Sequence, residues 1–419
     1  MIDIDKIRHD FPMLTNHPEL IYFDSAATSL KPQCVIDAVT SFYTHHTSNV
    51  HRGDYEIAAL NDRLYDGVRK KVAALIGCQG DEVIYTHNIS HSLNQVALGL
   101  AHTLKPGDVI LTSMAEHASD LLPWFALSHT KGVRIEYVPT DAQANISIED
   151  FEKAMHEGVR IVALAHVTNV LGSVNPIREI TQIAHRYGAL VVVDGAQAVP
   201  HMKVDVKDLD VDFYGFSAHK MCGPGGVGVL YGKKQLLNDL VPVFEGGDMN
   251  ARFNKDGEVI YKNPPIRFEA GTPNIEGVIG MGAAIDYLME IGMDEIEAYE
   301  KQLRAYFCNR MKELDNIELL NPDNASGPIT FNAKGVFAQD AAGYLASRNI
   351  AVRSGNHCAK ILHEITGTDQ SIRASLYFYN TKEEVDRFVE AASQISLENA
   401  GSACLSNKKK IERLWLLFF

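Results

Sequence analysis

From about residue 80 to 232 the chain alternates short apolar runs with amphipathic stretches. The runs are EVIYT, DVILTS, VRIEYVP, VRIVALAHV, GALVVVDGA, VDFYGFS and GVGVLYG. Several are continuously apolar, the pattern of strands covered on both faces. Between them lie helical patterns such as NPIREITQIAHRYG, which ends at Gly188. This alternation predicts an α/β layer with a mostly parallel sheet, whose ligands sit beyond the carboxyl ends of the strands.

Before the sheet, Ile57, Leu60, Leu64, Val68, Val72 and Leu75 recur at spacings of three and four and predict one apolar helix face. After it, Ile296, Tyr299, Leu303, Phe307, Met311 and Leu314 do the same and lead into a smaller unit. There the pattern reads strand GPITFN, helix AQDAAGYLASRN, strands IAVRS and SIRASLYFYN, and helix KEEVDRFVEAASQI, a compact α+β unit. The expected division is a segment 1–20 packing with the small domain, a large domain 21–290, a small domain 291–396 and a tail 397–419 of unknown role. The tail passes from polar residues through three lysines to an apolar end, a composition open to a loosely docked tail or a surface-binding peptide.

The 419 residues are 46% hydrophobic and 22% charged, ordinary globular values. A net charge of -14 argues against nucleic-acid binding, which needs Lys and Arg on phosphates. The start, MIDIDKIRHDFPML, lacks the basic and apolar regions of a secretory signal, and no run reaches the length that spans a bilayer. Six dispersed cysteines without a CxxC read as reduced thiols, so a cytoplasmic location without membrane contact is expected.

Candidate chemistry concentrates in three segments. In DFYGFSAHKMCGPGGVGVLYG, Lys220 ends a buried strand-like run. A bare ammonium is costly there, whereas a neutral amine can form a Schiff base; a surface lysine at a strand end is the other reading. Gly223, Gly225 and Gly228 fit a dinucleotide spacing, but they open a strand rather than a helix, so that reading fails. In GALVVVDGAQAVPH, Asp194 follows three valines at the end of a central-looking strand, where it needs a cation such as a protonated pyridine nitrogen, unless it merely caps the next helix. Gln197 is placed to reach a ring hydroxyl. Lysine and aspartate on separate strands of one sheet are the two anchors of a pyridoxal phosphate site. Ser90 at a helix start, with Ser217 and His219, offers phosphate donors, and His117 an imidazole that could stack on a ring.

The third segment is RSGNHCAK with SIRAS. Arg373 is a candidate carboxylate clamp, or a surface ion pair. Cys358 lies beside His357 and after Gly355, and stands open as core thiol, metal ligand or nucleophile. A zinc site of His357, Cys358 and His363 matches no four-ligand spacing, and no metal is expected.

These motifs together resemble the cysteine desulfurases of the class V, fold-type I pyridoxal-phosphate family, in its group II (SufS-like) branch, which includes selenocysteine lyases. The resemblance runs over roughly residues 5 to 396 and rests on YFDSAAT, NVHRG, TNVLG, VVVDGAQAVPH, FSAHK, GPGGVGVLYGK, RFEAGTPN, AVRSGNHCA and RAS with YNTKEEVD. It implies a fold-type I transferase, a large domain with a mostly parallel mixed sheet that binds pyridoxal 5'-phosphate plus a smaller α+β domain. By resemblance Lys220 is the Schiff-base lysine and proton carrier, Asp194 the pyridinium partner, Gln197 the ring-hydroxyl contact and His117 the stacking histidine. Ser90, Ser217 and His219 resemble phosphate ligands, and Thr272 the phosphate contact given by the other subunit of a homodimer with shared sites. Asn169, Arg353, Arg373 and His51 resemble residues around the substrate, and Cys358 the nucleophile that takes sulfur from L-cysteine as a persulfide, for a sulfur-acceptor protein of iron–sulfur cluster assembly.

The chain departs from the family pattern in several places. Where the family shows GTTE it reads NISH, with Ile89 for a hydroxyl residue; GHHCA becomes GNHCA, with Asn356; EHHAN becomes EHASD; FSGHK becomes FSAHK; and the usual histidines near 337–340 are absent from VFAQD. GSACLS resembles a group I nucleophile loop around Cys404 but falls after the last helix expected in the small domain. The alternatives are a selenocysteine lyase, a pyridoxal-phosphate aminotransferase, for which RSGNHCA has no purpose, and a non-catalytic partner-binding scaffold.

Overall fold

Seven strands form the central sheet of the computed structural model, whose described residues are 2–401. They are β1 (Val83–Thr86), β2 (Val109–Thr112), β3 (Arg134–Tyr137), β4 (Val159–Ala165), β5 (Leu190–Asp194), β6 (Phe213–Ser217) and β7 (Gly228–Gly232). Each arises from one of the seven apolar runs. Their order is β1-β7-β6-β5-β4-β2-β3; β7 is antiparallel to both neighbours and the other pairings are parallel. β5 is central, buried on both faces, which explains its unbroken valines.

The helices that matter for the site are α1 (Glu56–Ile76), α2 (Ile89–Leu100) after β1, α3 (Ala118–Lys131) after β2, α4 (Ile275–Ile291) and α5 (Met293–Met311). The stripe expected on α1 holds only in its second half. The helix buries Ala58, Asn61, Tyr65, Val68, Val72 and Leu75, whereas Ile57 and Leu64 are exposed. Tyr65 sets this phase: its ring packs edge-on to Tyr85, 4.9 Å between centroids, and Asn61 donates to the backbone carbonyl of His46. On α5, Ile296, Leu303, Phe307 and Met311 are buried as the spacing predicts.

The smaller sheet is antiparallel throughout: β8 (Ile317–Leu319), β9 (Ile329–Ala333), β10 (Arg353–Gly355) and β11 (Ser371–Ala374), in the order β8-β9-β11-β10. Two sequence expectations change here. IAVRS splits: Ile350–Ala351 pairs in parallel with Ile21–Tyr22, and Arg353–Gly355 joins β11. SIRASLYFYN is a strand only over Ser371–Ala374, because Tyr377 and Tyr379 turn inward and spend their hydroxyls on Pro200 and Ser25. The N-terminal helices pack Ile7, Phe11 and Leu14 into the same core as Tyr377–Tyr379, and Arg8 pairs with Glu384 at 2.9 Å. An exposed hairpin, Asn250–Phe253 with Val259–Tyr261, has no counterpart in the sequence reading. Among the described residues no helix is long and apolar enough to cross a membrane. The tail from residue 402, including Cys404, lies outside the described residues.

Candidate active site

Candidate residues lie at the carboxyl end of β5, just beyond β4 and β6, and at the starts of α2 and α3. Asp194 is the last residue of β5, buried, with Oδ1 accepting the Ala196 N–H at 2.9 Å. Burial raises its pKa above the ordinary carboxylate value, and the Lys220 amine opposes that rise. The next residue must be glycine, since a Cβ at Gly195 would overlap the Tyr214 ring. Lys220 stands one 3₁₀ turn (Ala218–Lys220) beyond β6. Burial pulls its amine below the usual lysine value; Asp194 opposes this, and Arg373 and Arg353 add to it. The peptide just before Lys220 is heavily tethered. The His219 carbonyl accepts from the Ser29 N–H (2.9 Å), Ser29 Oγ (3.0 Å), Thr28 Oγ1 (3.1 Å) and Lys31 Nζ (2.8 Å).

Two helix starts face this lysine. The Ile89 N–H donates to Ser217 Oγ at 2.8 Å, while the Ile89 side chain is buried in the core against Gly215. The departure at Ile89 thus fills the core behind the helix start. Ser90 Oγ meets Ser119 Oγ at 2.6 Å, joining α2 to α3. His117 caps α3: its Nδ1 accepts the Ser119 N–H at 3.1 Å, which places the ring proton on Nε2. Burial, aided by Lys220, Arg373 and Arg353, pushes His117 down to about 4. His219 is likewise down to about 4, through burial, Lys220 and Lys31. Gln197 Nε2 donates to the Ala26 carbonyl at 3.0 Å.

The other wall comes from β10 and β11, where Arg353 and Arg373 are direct cross-strand partners. Arg373 is only 2% exposed; its Nη1 donates to the Asn169 carbonyl at 2.9 Å, while Nε and Nη2 have no hydrogen-bond partner. Asn169 Oδ1 is also buried and unpartnered, and its Nδ2 donates to the His357 carbonyl at 2.9 Å. Buried polar groups are seldom left so, least of all a cation, and the free Nε–Nη2 edge has the fork geometry of a carboxylate clamp. Cys358 is exposed, with Sγ 4.0 Å from Arg353 Nη2. Its backbone is left-handed at φ 59°, after His357 at 52°. Asn356, the second departure, accepts the Cys358 N–H through Oδ1 at 3.2 Å; the Cys358 carbonyl takes the Ala118 N–H at 2.7 Å. His357 turns its Nε2–H to the Ser371 carbonyl at 3.1 Å and is pushed down to about 3 by burial, so it anchors the loop. His363 bonds Lys360 and Glu364.

Lys220, Asp194, His117, Arg353, Arg373 and Cys358 therefore act on one another, with Asn169, Ser90, Ser217, His219 and Gln197 around them. His51 and Thr272 stand apart in this chain. His51 is exposed beside Asp62 and Asp66. Thr272 lines a groove of about 320 Å³ with His87, His91 and Phe244. Sequence reasoning missed Asp24, whose Oδ1 lies 3.7 Å from Arg373 Nη2, and two fully buried acids, Glu116 and Asp120. Asp24 stands inside YFDSAAT and Asp120 inside EHASD, so both were in quoted motifs.

A buried acid under the carboxyl end of a central strand, with a depressed lysine amine beyond the next strand and two helix starts opposite, fits a flat ring that carries a positive nitrogen and a phosphate. That is the arrangement of an α/β enzyme built around such a ring. Residues 21–388 match the model of the aminotransferase class-V family, and the chain belongs to that family. A probable cysteine desulfurase of Halalkalibacterium halodurans is 44% identical over 386 residues, 91% of this chain and 95% of that protein. Among solved structures, a cysteine desulfurase of Thermococcus onnurineus superposes with a TM-score of 0.90 at 40% identity, covering 94% of this chain and 98% of that one. The Escherichia coli cysteine desulfurase CsdA gives 0.88 at 34%, covering 94% and 98%. Within the family the chain stands with the cysteine desulfurases.

Proposed function

We propose that this chain is a pyridoxal-phosphate-dependent cysteine desulfurase that converts L-cysteine to L-alanine and holds the sulfur as a persulfide on Cys358. The observation that carries this reading is the exposed Cys358 thiol 4.0 Å from Arg353, whose cross-strand partner Arg373 is buried with its Nε–Nη2 edge unpaired. An amino-acid carboxylate on that edge sets the side chain of a small substrate between Lys220 and Cys358. Asp194 would hold the ring nitrogen, Gln197 the ring hydroxyl and His117 the ring face. Ser90, Ser217 and His219 would hold the phosphate, and Thr272 would reach it from a second copy in a homodimer. When bound, the cofactor supplies an electron sink that acidifies the substrate Cα–H and weakens its C–S bond.

The protein's own groups do the rest. Lys220 Nζ, a base once its pKa is depressed, takes the Cα proton. Arg373 fixes the carboxylate, with Asn169, Arg353 and His51 around the substrate. Cys358 Sγ attacks the substrate sulfur as a thiolate; the S–S bond forms as the Cβ–S bond breaks, and a proton completes alanine. The persulfide passes to an acceptor protein of iron–sulfur cluster assembly, in the cytoplasm. In this reading residues 21–290 bind the cofactor and 291–396 bring the thiol.

The test is alanine release from L-cysteine and from L-selenocysteine, for wild type and Cys358→Ala. Loss with cysteine alone assigns the thiol to desulfuration; full activity of the variant with cysteine would defeat the assignment. Equal loss with both substrates would mark a structural defect.

A further inference from the structure

Residues 21–31 run from the arginine strands to the lysine. At one end Ile21–Tyr22 pairs in parallel with Ile350–Ala351, just before Arg353 opens β10. The segment then closes on Ser375, two residues beyond Arg373. The Ser375 N–H donates to the Phe23 carbonyl at 2.7 Å, and Ser375 Oγ accepts the Ala26 N–H at 2.9 Å. At the other end the buried Ser29 holds the backbone on both sides of Lys220. Its Oγ donates to the His219 carbonyl at 3.0 Å and accepts the Cys222 N–H at 2.7 Å. The Ser29 N–H and Lys31 Nζ bond the same His219 carbonyl, at 2.9 and 2.8 Å. Cys222 is left-handed at φ 63°, a conformation that a residue with a Cβ keeps only where its surroundings hold it. One hydroxyl thus closes the turn that carries the lysine.

We propose that Ser29 is a positioning residue for Lys220: its hydroxyl bridges the peptide carbonyl before the lysine and the N–H two residues after it, and so sets where the amine meets cofactor and substrate. This rests on reading Lys220 as the residue that joins the cofactor and takes the Cα proton. Rotation of the side chain moves Nζ, but the arc it sweeps is anchored at the Lys220 Cα. Ser29 fixes that anchor to the segment that also braces the strands of Arg353 and Arg373. The base and the carboxylate clamp are thereby set against each other by one stretch of backbone. A base displaced by about 1 Å can lose about 100-fold in rate.

The experiment compares wild type, Ser29→Ala, Ser29→Thr and Lys220→Ala, each as full-length apoprotein given two probes. Pyridoxal phosphate carries the aldehyde that bonds a lysine amine, and stopped flow reads the visible band of that bond. Deoxypyridoxine phosphate lacks the aldehyde, so calorimetry reads its binding to the site without the lysine. Lys220→Ala sets the baseline for the band. Ser29→Ala should slow band formation about tenfold and, once loaded, lower kcat for L-cysteine about 10- to 100-fold. Its dissociation constant for deoxypyridoxine phosphate should stay within about threefold of wild type. Ser29→Thr, which keeps the hydroxyl, should restore both rates to within about threefold. Either rate unchanged in Ser29→Ala, or a Thr variant no better than Ala, overturns the proposal. So does an Ala variant that also loses deoxypyridoxine phosphate, since Ser29 would then only hold the site together. A wild type with no band beyond that of Lys220→Ala defeats the reading of Lys220 and this inference with it. A band without alanine release from L-cysteine defeats the desulfurase reading alone, and band formation then decides the role of Ser29.

Discussion

Arg353 and Arg373 sit directly opposite each other on adjacent antiparallel strands, two like charges in register at the wall of a pocket. Such a pair destabilises a sheet by itself. Arg353→Gln should therefore raise stability by about 0.2–1 kcal/mol in denaturant unfolding while raising KM for L-cysteine. A variant that lost stability would show that the pair is held favourably without a substrate.

Arg373→Lys keeps the charge but loses the planar fork. It should raise KM for L-cysteine about 10- to 100-fold, the cost of one or two charge-assisted hydrogen bonds, with a smaller effect on kcat. Steady-state kinetics separate the two. An unchanged KM would remove the clamp from Arg373.

Cys358→Ala should keep the visible cofactor band and lose alanine formation from L-cysteine by at least about 100-fold. Mass spectrometry of wild type after substrate should find one extra sulfur on the peptide holding Cys358, and none on Cys34, which is also exposed. Sulfur on Cys34 instead would move the nucleophile.

Asp120 is fully buried, and neither carboxyl oxygen has a hydrogen-bond partner. Burial, with Glu116 and Asp194 nearby, holds its pKa well above the ordinary carboxylate value, which favours the protonated form in the fold. The unfolded chain ionises at this position above about pH 4 and then binds fewer protons than the folded chain, so stability falls as pH rises. Asp120→Asn, a neutral isostere, should flatten that decline between about pH 5 and 8 and raise the Tm at the upper end. Thermal unfolding across this range decides it; a Tm lowered equally at every pH would mean a packing role only.

Gly195→Ala places a methyl group in the Tyr214 ring, directly after Asp194. Overpacking of this kind costs about 1–3 kcal/mol. The cofactor band should weaken as well, because Asp194 moves with its neighbour. A stable variant with an unshifted band would show that Tyr214 yields instead.

The seven sheet strands were legible because each is a local run of strand-forming residues, and all but the half-buried edge strand β3 carry near-continuous burial in their own residues. The phase of α1 was not, because Tyr65 and Asn61 win the inner face through contacts with Tyr85 and His46 that no spacing records. The same holds in SIRASLYFYN, where the tyrosines leave the strand for partners 177 and 354 residues away. Lys220, Asp194, Arg373 and Cys358 stood out by residue type and place. Asp24 and Asp120 did not, although both lie in quoted motifs. What marks them is an oxygen without a partner, visible only once distant segments meet.

The loop of Cys358 is fastened on three sides: the Cys358 carbonyl to Ala118, the His357 carbonyl to Asn169, and the His357 ring to Ser371. Under the proposed reaction, sulfur held on Cys358 would travel only as far as rotation about the bonds of one short side chain allows. The thiol would then be a fixed dock rather than a ferry, and an acceptor would have to come to it and present its own group there.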